Sequence, residues 1–267
     1  MLKEGKAYNK DMLIINWNLS YANNNDNKFS YLYDSLKKYT VIILEEVTPK
    51  HYKELKEVFV GMNIEYSLNY RKPGKYDSKQ RQLGVAIITS KDLPIISAKC
   101  LDRCLLPDRT LLVEAKYKER VIKIMGLHSI TGCDHKKAKS IQFLSFAEAI
   151  DKYKPDIVGV DANEPDVDHY DVDCMKFFIN KDKGIGAQTF FKVLKENKLI
   201  DAYSKVFNKE EYKEGKPLAV SHKINKKIDK RFDFIFTNKA VRSCLYKYDE
   251  GIQYGSDHAI VECKIRV

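Results

Sequence analysis

Short runs of apolar residues that end in polar ones recur along the chain and predict the strands of a sheet. Three of them lie at residues 12–18, 41–44 and 156–160. Apolar runs of this length, bounded by polar residues, are typical of buried strands. The last run is followed by Pro165, which lacks an N–H group and ends the ladder. Further strands are predicted at residues 83–89, 95–100, 110–116, 121–128, 232–237, 241–248 and 259–267.

Helical spacing of apolar residues predicts helices in several of the segments between these strands. Helices are expected at residues 29–39, 49–60, 136–153 and 189–197. Thr48 is the expected N-cap of the second helix, and Pro49 suits its first turn. In the third, the repeating apolar positions are Ala138, Ile141, Leu144 and Ala147. Residues 208–230 are rich in lysine and weakly apolar, which predicts a loop.

The order of these elements predicts an α/β fold. Strands and helices alternate in the first third of the chain, whereas strands cluster in the middle and at the end. This mixture suits two sheets packed face to face with helices outside. With no repeat and no long linker, one domain over residues 1–267 is expected.

Composition narrows the class of partner. The chain has 267 residues, of which 44% are hydrophobic and 31% charged, as in a soluble globular protein. No apolar run approaches the roughly 18 residues of a membrane span, and no export signal is apparent, so a cytoplasmic location is expected. The six cysteines lack metal-site spacing. The net charge of +10 favours a polyanionic partner, nucleic acid ahead of a membrane surface.

Polar residues that interrupt the apolar runs are the candidates for chemistry. They form six clusters, namely Asn16 and Asn18, Glu45 and Glu46, His128 and Ser129, Asp161 and Asn163, Arg231 and Asp233, and residues 255–258. Each cluster alone has a plain structural explanation, such as a turn capped by an Asx side chain or a hydrogen-bonded core histidine. If the strand ends converge, the clusters form one pocket of carboxylates, histidines and amides. Such hard oxygen ligands suit Mg²⁺ or Mn²⁺, and like charges so close together would repel without a cation.

Together, these blocks resemble the endonuclease/exonuclease/phosphatase superfamily, the group of deoxyribonuclease I, exonuclease III-like repair nucleases and inositol-polyphosphate phosphatases. The resemblance runs from residue 12 to the end of the chain. It implies a four-layer αββα sandwich, with two mixed β-sheets packed face to face and helices outside. The matching pieces are Trp17-Asn18, Leu44-Glu-Glu-Val47, Leu127-His-Ser129, Val160-Asp-Ala-Asn-Glu-Pro165, Arg231-Phe-Asp-Phe-Ile235 and Gly255-Ser-Asp-His258.

The resemblance also implies a metal site. Glu46 would ligate the catalytic ion, Mg²⁺ with Mn²⁺ as a substitute, and Asn18 and Asp257 would lie near it. The residue before the metal glutamate is usually glutamine and is here Glu45. This departure either adds charge near the metal or faces solvent.

Catalytic roles follow from the same resemblance. Asp161 would position or deprotonate the attacking water, and Asn163 would hold the scissile phosphate. Asp233 would orient His258, which would contact that phosphate. A carboxylate that fixes the tautomer of an imidazole is a common device for this purpose.

Two residues match the deoxyribonuclease-like branch. His128 is a candidate acid for the leaving oxygen or a phosphate ligand, and Arg109 resembles a phosphate-binding arginine. A further departure is Ala162, where an aromatic residue is usual in the Asp-x-Asn motif. This change is expected to be harmless.

Two basic segments bear on the substrate. Residues 71–81 contain five Lys or Arg side chains, among them Lys75, Lys79 and Arg81, and residues 222–231 contain another five. Basic loops beside a nuclease pocket track phosphate backbones without regard to sequence. A solvated lysine-rich surface is the plain alternative. The four aspartates of residues 166–173 argue against a phosphate-dense ligand on that side, or mark an additional cation site.

Three functions are consistent with this sequence. A monomeric, divalent-metal-dependent phosphodiesterase that cleaves nucleic acid, DNA before RNA, by in-line attack of an activated water is favoured. The alternatives are a phosphomonoesterase of the same fold, such as an inositol-polyphosphate phosphatase, and a non-catalytic nucleic-acid-binding relative. No membrane partner is expected.

Overall fold

The computed structural model describes residues 11–21, 27–37, 40–71, 82–131, 136–178 and 185–267. Its strands are β1 (Asp11–Asn18), β2 (Thr40–Val47), β3 (Asn63–Tyr66), β4 (Gly84–Thr89), β5 (Ile95–Lys99), β6 (Thr110–Tyr117), β7 (Arg120–His128), β8 (Ile157–Asp161), β9 (Ile200–Asp201), β10 (His222–Ile224), β11 (Ile228–Lys230), β12 (Asp233–Thr237), β13 (Ala240–Lys247) and β14 (Ile260–Arg266). Its helices are α1 (Asn27–Asp34), α2 (Pro49–Val58), α3 (Ser67–Tyr70), α4 (Lys136–Tyr153), α5 (Gly186–Glu196), α6 (Ala202–Val206) and α7 (Tyr248–Gln253). Each helix in these ranges is too short or too polar to cross a bilayer.

Two six-stranded sheets form the centre of the fold. The first has the order β13-β14-β1-β2-β4-β3, and the second has the order β5-β6-β7-β8-β12-β9. Each sheet contains one parallel pair, β1 with β2 and β7 with β8, among antiparallel neighbours. Strands β10 and β11 form a separate hairpin. The predicted pair of mixed sheets is therefore confirmed.

Apolar side chains fill three layers, one between the two sheets and one between each sheet and its helices, and their burial explains why these elements stack. Between the sheets, Ile14 and Val41 of one pack with Ile124 of the other. Because side chains alternate along a strand, the next residues face outward, where α1 and α2 cover the first sheet and α4 and α5 cover the second. The order helix, sheet, sheet, helix is the predicted four-layer sandwich.

The two sheets approach closely at Gly159 of β8. A Cβ atom there would collide with the side-chain oxygen of Asn16 and lie 2.7 Å from Ile43 on the facing sheet. Only glycine leaves room for Asn16 at this position. The close approach brings the polar end of β1 against the polar end of β8.

Several predictions about single elements need correction. Helix α4 has the predicted bounds, yet Ile141 and Leu144 are exposed, and the buried face carries Phe143 and Phe146 instead. Residues 208–230, predicted as loop, contain the β10–β11 hairpin. The short elements β3, α3, β9, α6 and α7 were not predicted. They are held by neighbouring elements rather than by a repeating pattern of their own.

Candidate active site

The polar strand ends converge because the strands that carry them finish at the same edge of the sandwich. Register places Asp161 of β8 between His128 of β7 and Asp233 of β12. In the other sheet, Asn18 of β1 lies beside Glu45 of β2. These positions continue the inward-facing rows of apolar residues further along each strand. The space between the sheets is therefore apolar along most of its length and polar at this end.

Asp161 is the central side chain of the cluster. Its Oδ2 accepts a hydrogen bond from Asn18 Nδ2 at 2.8 Å, across the gap between the sheets. Its Oδ1 accepts one from the backbone N–H of Asn163 at 3.0 Å. The second bond is the Asx turn that the sequence allowed as a plain alternative. The same turn holds the Asn163 side chain beside Oδ2, at 3.3 Å, and against the carbonyl of Ser129.

The surroundings of Asp161 favour its protonated form. Burial, followed by the charge of Asp233, raises the pKa of Asp161 to about 7, although His258 and the hydrogen bond from Asn18 oppose the rise. A carboxylate is an effective general base when its pKa lies near the operating pH. This position is therefore suited to accept a proton.

Asp233 and His258 form a buried pair. His258 Nδ1 lies 2.9 Å from Asp233 Oδ2. Burial disfavours the imidazolium, but the carboxylates of Asp233 and Asp161 outweigh it and hold the pKa of His258 well above its ordinary value. The His258 backbone is anchored by two bonds, from Trp17 Nε1 to its carbonyl and from its N–H to Ser256 Oγ. Nδ1 is thus engaged, and Nε2 is the nitrogen available to a ligand.

His128 connects Arg109 and Glu46 to the cluster. Its Nε2 lies 3.6 Å from Glu46 Oε1 and 3.7 Å from Asp161 Oδ2. Arg109 Nη1 lies 3.0 Å from His128 Nδ1. Burial, then the charges of Arg109 and His258, hold the pKa of His128 well below its ordinary value. A neutral imidazole suits a hydrogen-bonding or phosphate-binding role better than that of an acid.

Glu45 and Glu46 both reach the site because β2 is irregular between them. The register with β4 shifts between Leu44 and Val47, and Glu46 adopts a φ of 53°. Glu45 is fully buried, so the interpretation that it faces solvent is wrong. Its carboxylate oxygens lie outside normal hydrogen-bond geometry with the described residues, and the nearby Asn16 side chain is the weakest of the influences on its pKa. Burial, then Asp233 and Asp161, raise the pKa of Glu45 well above its ordinary value.

The donor set fits a hard divalent cation. The carboxylates of Asp161 and Asp233 offer oxygen ligands, and these oxygens and a ring nitrogen of His258 lie within 4.8 Å of one another. Glu46 adds a partly exposed carboxylate, whose Oε1 lies 3.6 Å from the same His128 nitrogen that is 3.7 Å from Asp161 Oδ2. Carboxylate and amide oxygens are ligands that Mg²⁺ and Mn²⁺ accept, and a cation would offset the burial and the charge of Asp233 that raise the pKa of Asp161.

Two of the three predicted metal ligands lie in the cluster, and the third lies outside it. Asn18 and Glu46 lie in the cluster, whereas the Asp257 side chain is 60% exposed and faces His222 and His258. Among the described contacts, none joins the Asp257 carboxylate to Glu46 or Asn18. The metal-binding role of all three stays a prediction.

Supporting residues that the sequence did not indicate hold the site in place. Lys139 is buried, and its Nζ donates to the Asn163 carbonyl at 2.6 Å. Gln142 is buried as well and bonds the His128 carbonyl and the Ile130 N–H. Both are polar residues on a helix with apolar spacing. No local signal distinguishes them from solvated side chains.

The basic segments contribute less than their sequence suggests. Lys75, Lys79 and Arg81 lie outside the described residues. Arg231 is fully buried, so its expected part in a phosphate-binding surface is wrong. In the 222–231 segment, Lys226 and Lys227 are exposed at the hairpin turn.

The acidic segment 166–173 binds the protein's own cations. Arg231 forms a two-pronged bond with Asp168, at 2.7 and 2.8 Å, and a third bond with Asp201 at 2.6 Å. Asp166 pairs with Lys230, and Asp171 and Asp173 pair with Lys195. An additional cation site is therefore not needed to explain these four aspartates.

Loss of the buried arginine should destabilise the fold. Arg231→Ala is expected to lower the free energy of unfolding by about 3–5 kcal/mol, because Asp168 and Asp201 would stay buried without their partner. Lys195→Ala, which removes an exposed partner of the same segment, should have little measurable effect. Urea unfolding of both variants measures the difference. Equal stabilities would show that the buried network does not stabilise the fold.

Solved structures with the same fold are known. No protein-family model matches the chain, and no curated protein sequence matches it either. A D. rerio TDP2 structure complexed with a single-strand DNA product is 14% identical, with a TM-score of 0.64, and covers 97% of this chain and 100% of its own. The endonuclease domain of TRAS1, a telomere-specific non-LTR retrotransposon, is 13% identical, with a TM-score of 0.57, over 96% and 99%.

A third structure carries the family description itself. It is an endonuclease/exonuclease/phosphatase from Bacteroides vulgatus, which is 16% identical, with a TM-score of 0.61, over 97% and 99% of the two chains. At these identities the similarity concerns the fold. The chain has the fold of endonuclease/exonuclease/phosphatase proteins, as the sequence motifs predicted.

Proposed function

We propose that this protein is a divalent-metal-dependent phosphodiesterase that cleaves nucleic acid, with DNA as its favoured substrate. The observation that carries the proposal is the arrangement around Asp161. A buried carboxylate with a raised pKa lies between His128 and Asp233 in the sheet, and His258, which is paired with Asp233, has a ring nitrogen within 4.8 Å of it. Such an arrangement supplies a proton acceptor and a cationic hydrogen-bond donor in one pocket. Hydrolysis of a phosphate ester needs both.

Each residue then has a part in the reaction. Asp161, oriented by Asn18 and Asn163, accepts a proton from the attacking water. His258, held by Asp233, donates a hydrogen bond from Nε2 to a phosphate oxygen. Glu46 and Asn18 would hold the metal ion, which when bound supplies positive charge that offsets the charge developing on the phosphate.

Two further residues of the pocket, Arg109 and Asn163, are placed to bind the phosphate. Arg109 lies against His128, and an arginine there can bind a phosphate oxygen. Asn163 is held within the same cluster by the Ser129 carbonyl. Both would fix the phosphate in line with the water, since correct positioning alone accounts for much of a rate enhancement.

DNA is favoured as the substrate for two reasons. Among structures with the same fold, the D. rerio protein holds a single-strand DNA product and the TRAS1 domain is an endonuclease. The net charge of +10 suits a polyanion. A monomeric state, a cytoplasmic location and Mg²⁺ as the native ion stay predictions from the sequence.

A substrate panel tests the proposal. DNA, RNA and inositol polyphosphates are incubated with the protein in Mg²⁺, and again with excess EDTA. Metal-dependent cleavage of nucleic acid is expected. Release of inorganic phosphate from inositol phosphates alone would establish the phosphomonoesterase, and binding of DNA without cleavage under any metal would establish the non-catalytic relative.

Salt dependence tests whether the basic segments follow the backbone of DNA. Replacing Lys75, Lys79 and Arg81 together should weaken binding about equally for unrelated sequences. The slope of log affinity against log salt should flatten by roughly one unit per lost phosphate contact, because fewer counterions are released. The measurement is fluorescence anisotropy of labelled DNA over a range of salt concentrations.

A described pair of lysines allows a matched comparison. Lys226→Gln with Lys227→Gln should flatten the slope in the same way. Lys116 near the end of β6 and Lys118 in the β6–β7 turn lie at the end of β7 opposite His128, where Arg120 is roughly 26 Å from His128 at 3.3 Å per residue. Replacing that pair should leave the slope unchanged. If all three multiple variants bind as the parent does, these segments are solvated surface.

A further inference from the structure

His222, Asp257 and His258 lie together on the outer side of the proposed catalytic pocket. His222 Nδ1 is 3.9 Å from Asp257 Oδ2, and His258 Nε2 is 4.0 Å from Asp257 Oδ1. The three side chains offer ligand atoms that all lie within 4.8 Å of one another. The mechanism above uses His258 but neither His222 nor the carboxylate of Asp257 as placed here.

The backbone holds the two histidines side by side. His222 begins β10 and forms an isolated bridge with His258, and the Ala259 N–H donates to the Ser221 carbonyl at 2.7 Å. The two imidazole rings have centroids 4.5 Å apart. Main-chain bonds therefore hold the two backbones side by side, so that both rings lie on the same side of the site. Preorganised ligands of this kind lower the cost of binding an ion.

We propose that His222, Asp257 and His258 form a second metal site, which binds a transition-metal ion of the Zn²⁺ type and blocks Nε2 of His258. Two imidazoles and one carboxylate suit Zn²⁺, whereas Mg²⁺ prefers oxygen ligands alone. Asp233 already accepts a hydrogen bond from Nδ1 of His258, and a carboxylate in that place commonly supports a zinc-bound histidine once the ion has displaced the Nε2 proton to solvent.

Side-chain movements bring the ligand atoms to zinc-binding distances. Zinc bonds of about 2.0–2.2 Å in tetrahedral geometry place two ligand atoms roughly 3.4 Å apart. The separations from the two Asp257 oxygens, 3.9 Å to His222 and 4.0 Å to His258, need to close by about half an ångström, and the two histidine nitrogens, which lie within 4.8 Å, by up to about 1.4 Å at that spacing. Asp257 and His222 supply these movements, because their side chains are 60% and 21% exposed. His222 Nδ1 also lies 3.2 Å from the backbone carbonyl of Asp257, a contact that the ion would replace.

The site would make the enzyme respond oppositely to two kinds of ion. A catalytic hard cation activates it, whereas Zn²⁺ occupies the nitrogen that the phosphate needs. This consequence rests on the proposed function, but binding of the ion does not. The assignment also gives Asp257 a partner different from the catalytic metal that the family resemblance implies.

Cobalt binding tests the site without reference to activity. The metal-free protein, with Cys133→Ser and Cys174→Ser to remove thiol ligands, is titrated with Co²⁺. Visible absorption bands of four-coordinate Co²⁺ should reach saturation at one ion per chain and disappear when Zn²⁺ is added. The bands should be lost in His222→Ala and in Asp257→Ala. The second of these variants changes an exposed side chain and keeps the test valid if the first does not fold.

A matched histidine serves as the control. His169→Ala removes a partly exposed histidine beside Asp171, outside the proposed site, and should keep the bands. Bands that persist in both His222→Ala and Asp257→Ala, or a parent that shows none at saturating Co²⁺, would overturn the proposal.

Inhibition by zinc completes the experiment. Each variant's phosphodiesterase activity in excess Mg²⁺ is measured with and without Zn²⁺. The activity with Zn²⁺ divided by the activity without it gives a ratio, which is compared between variants. The ratio should fall tenfold or more for the parent and for His169→Ala at a Zn²⁺ concentration that leaves the ratio for Asp257→Ala within twofold of one. If the protein has no phosphodiesterase activity, the cobalt result still decides whether the metal site exists. If cobalt binds as expected but Zn²⁺ does not inhibit, the site exists without blocking His258, and the proposal in its stated form is wrong.

Discussion

His258→Ala should lower the turnover number by about 100-fold or more. The imidazole is buried, its Nδ1 is held 2.9 Å from Asp233 Oδ2, and Nε2 is left to meet the phosphate. Its loss removes a positioned donor and a positive charge in a water-poor pocket, and each of these is worth about two orders of magnitude or more. Steady-state cleavage of labelled DNA at saturating Mg²⁺ gives the turnover number.

Two further variants separate catalysis from folding. Asp233→Asn should cost less than His258→Ala, because the imidazole remains but loses the carboxylate that orients it. His169→Ala should retain the parent's turnover, since His169 lies outside the cluster. Thermal unfolding of all three shows whether the fold is intact. A folded His258→Ala variant with the parent's turnover would mean that the catalytic site is misassigned.

Removal of divalent metal should abolish activity altogether. The pocket concentrates the carboxylates of Asp161, Asp233 and Glu45 in a buried space, where burial, and then repulsion between the charges, raises the pKa of Asp161 and of Glu45. A bound cation offsets that repulsion and the charge of the phosphate together. Excess EDTA should reduce cleavage to background, and added Mg²⁺ or Mn²⁺ should restore it. Full activity in EDTA would rule out the mechanism.

Glu46 allows the metal to be followed directly. Glu46→Gln keeps the shape of the side chain and removes its charge. Because even residues that only support a metal ligand cost about 10–100-fold in affinity, the Mn²⁺ affinity should fall by about 100-fold. Electron paramagnetic resonance of free Mn²⁺ measures it without reference to cleavage. Glu119→Gln, an exposed position in the β6–β7 turn, should bind Mn²⁺ as the parent does.

Much of the fold could be predicted from the sequence because apolar periodicity is a local property. The strands β1, β2, β4, β7 and β8 and the bounds of α4 follow from runs and spacings within each segment. The face of α4 does not. Its sequence carries two apolar stripes, and packing against β7 and β8 selects the one with Phe143 and Phe146, which leaves Ile141 and Leu144 exposed.

The candidate site shows the same division. The inward rows of β1, β7, β8 and β12 turn from apolar to polar at one end, and this change can be read from each strand separately. That the ends meet depends on strand order and register, which place Asp161 between His128 and Asp233 and within 2.8 Å of Asn18 on the other sheet. The family motifs predicted this convergence, and the structure supplies its distances.

What the sequence by itself determined is therefore the identity of the polar residues and the strand ends on which they lie. Only the tertiary structure decided that Arg231 is buried against Asp168 and Asp201, that Glu45 is buried, and that Asp257 faces His222. The physical reason is that burial and charge pairing are properties of surroundings built from distant parts of the chain. Asp168 and Arg231 are 63 residues apart, and no local pattern records that they meet.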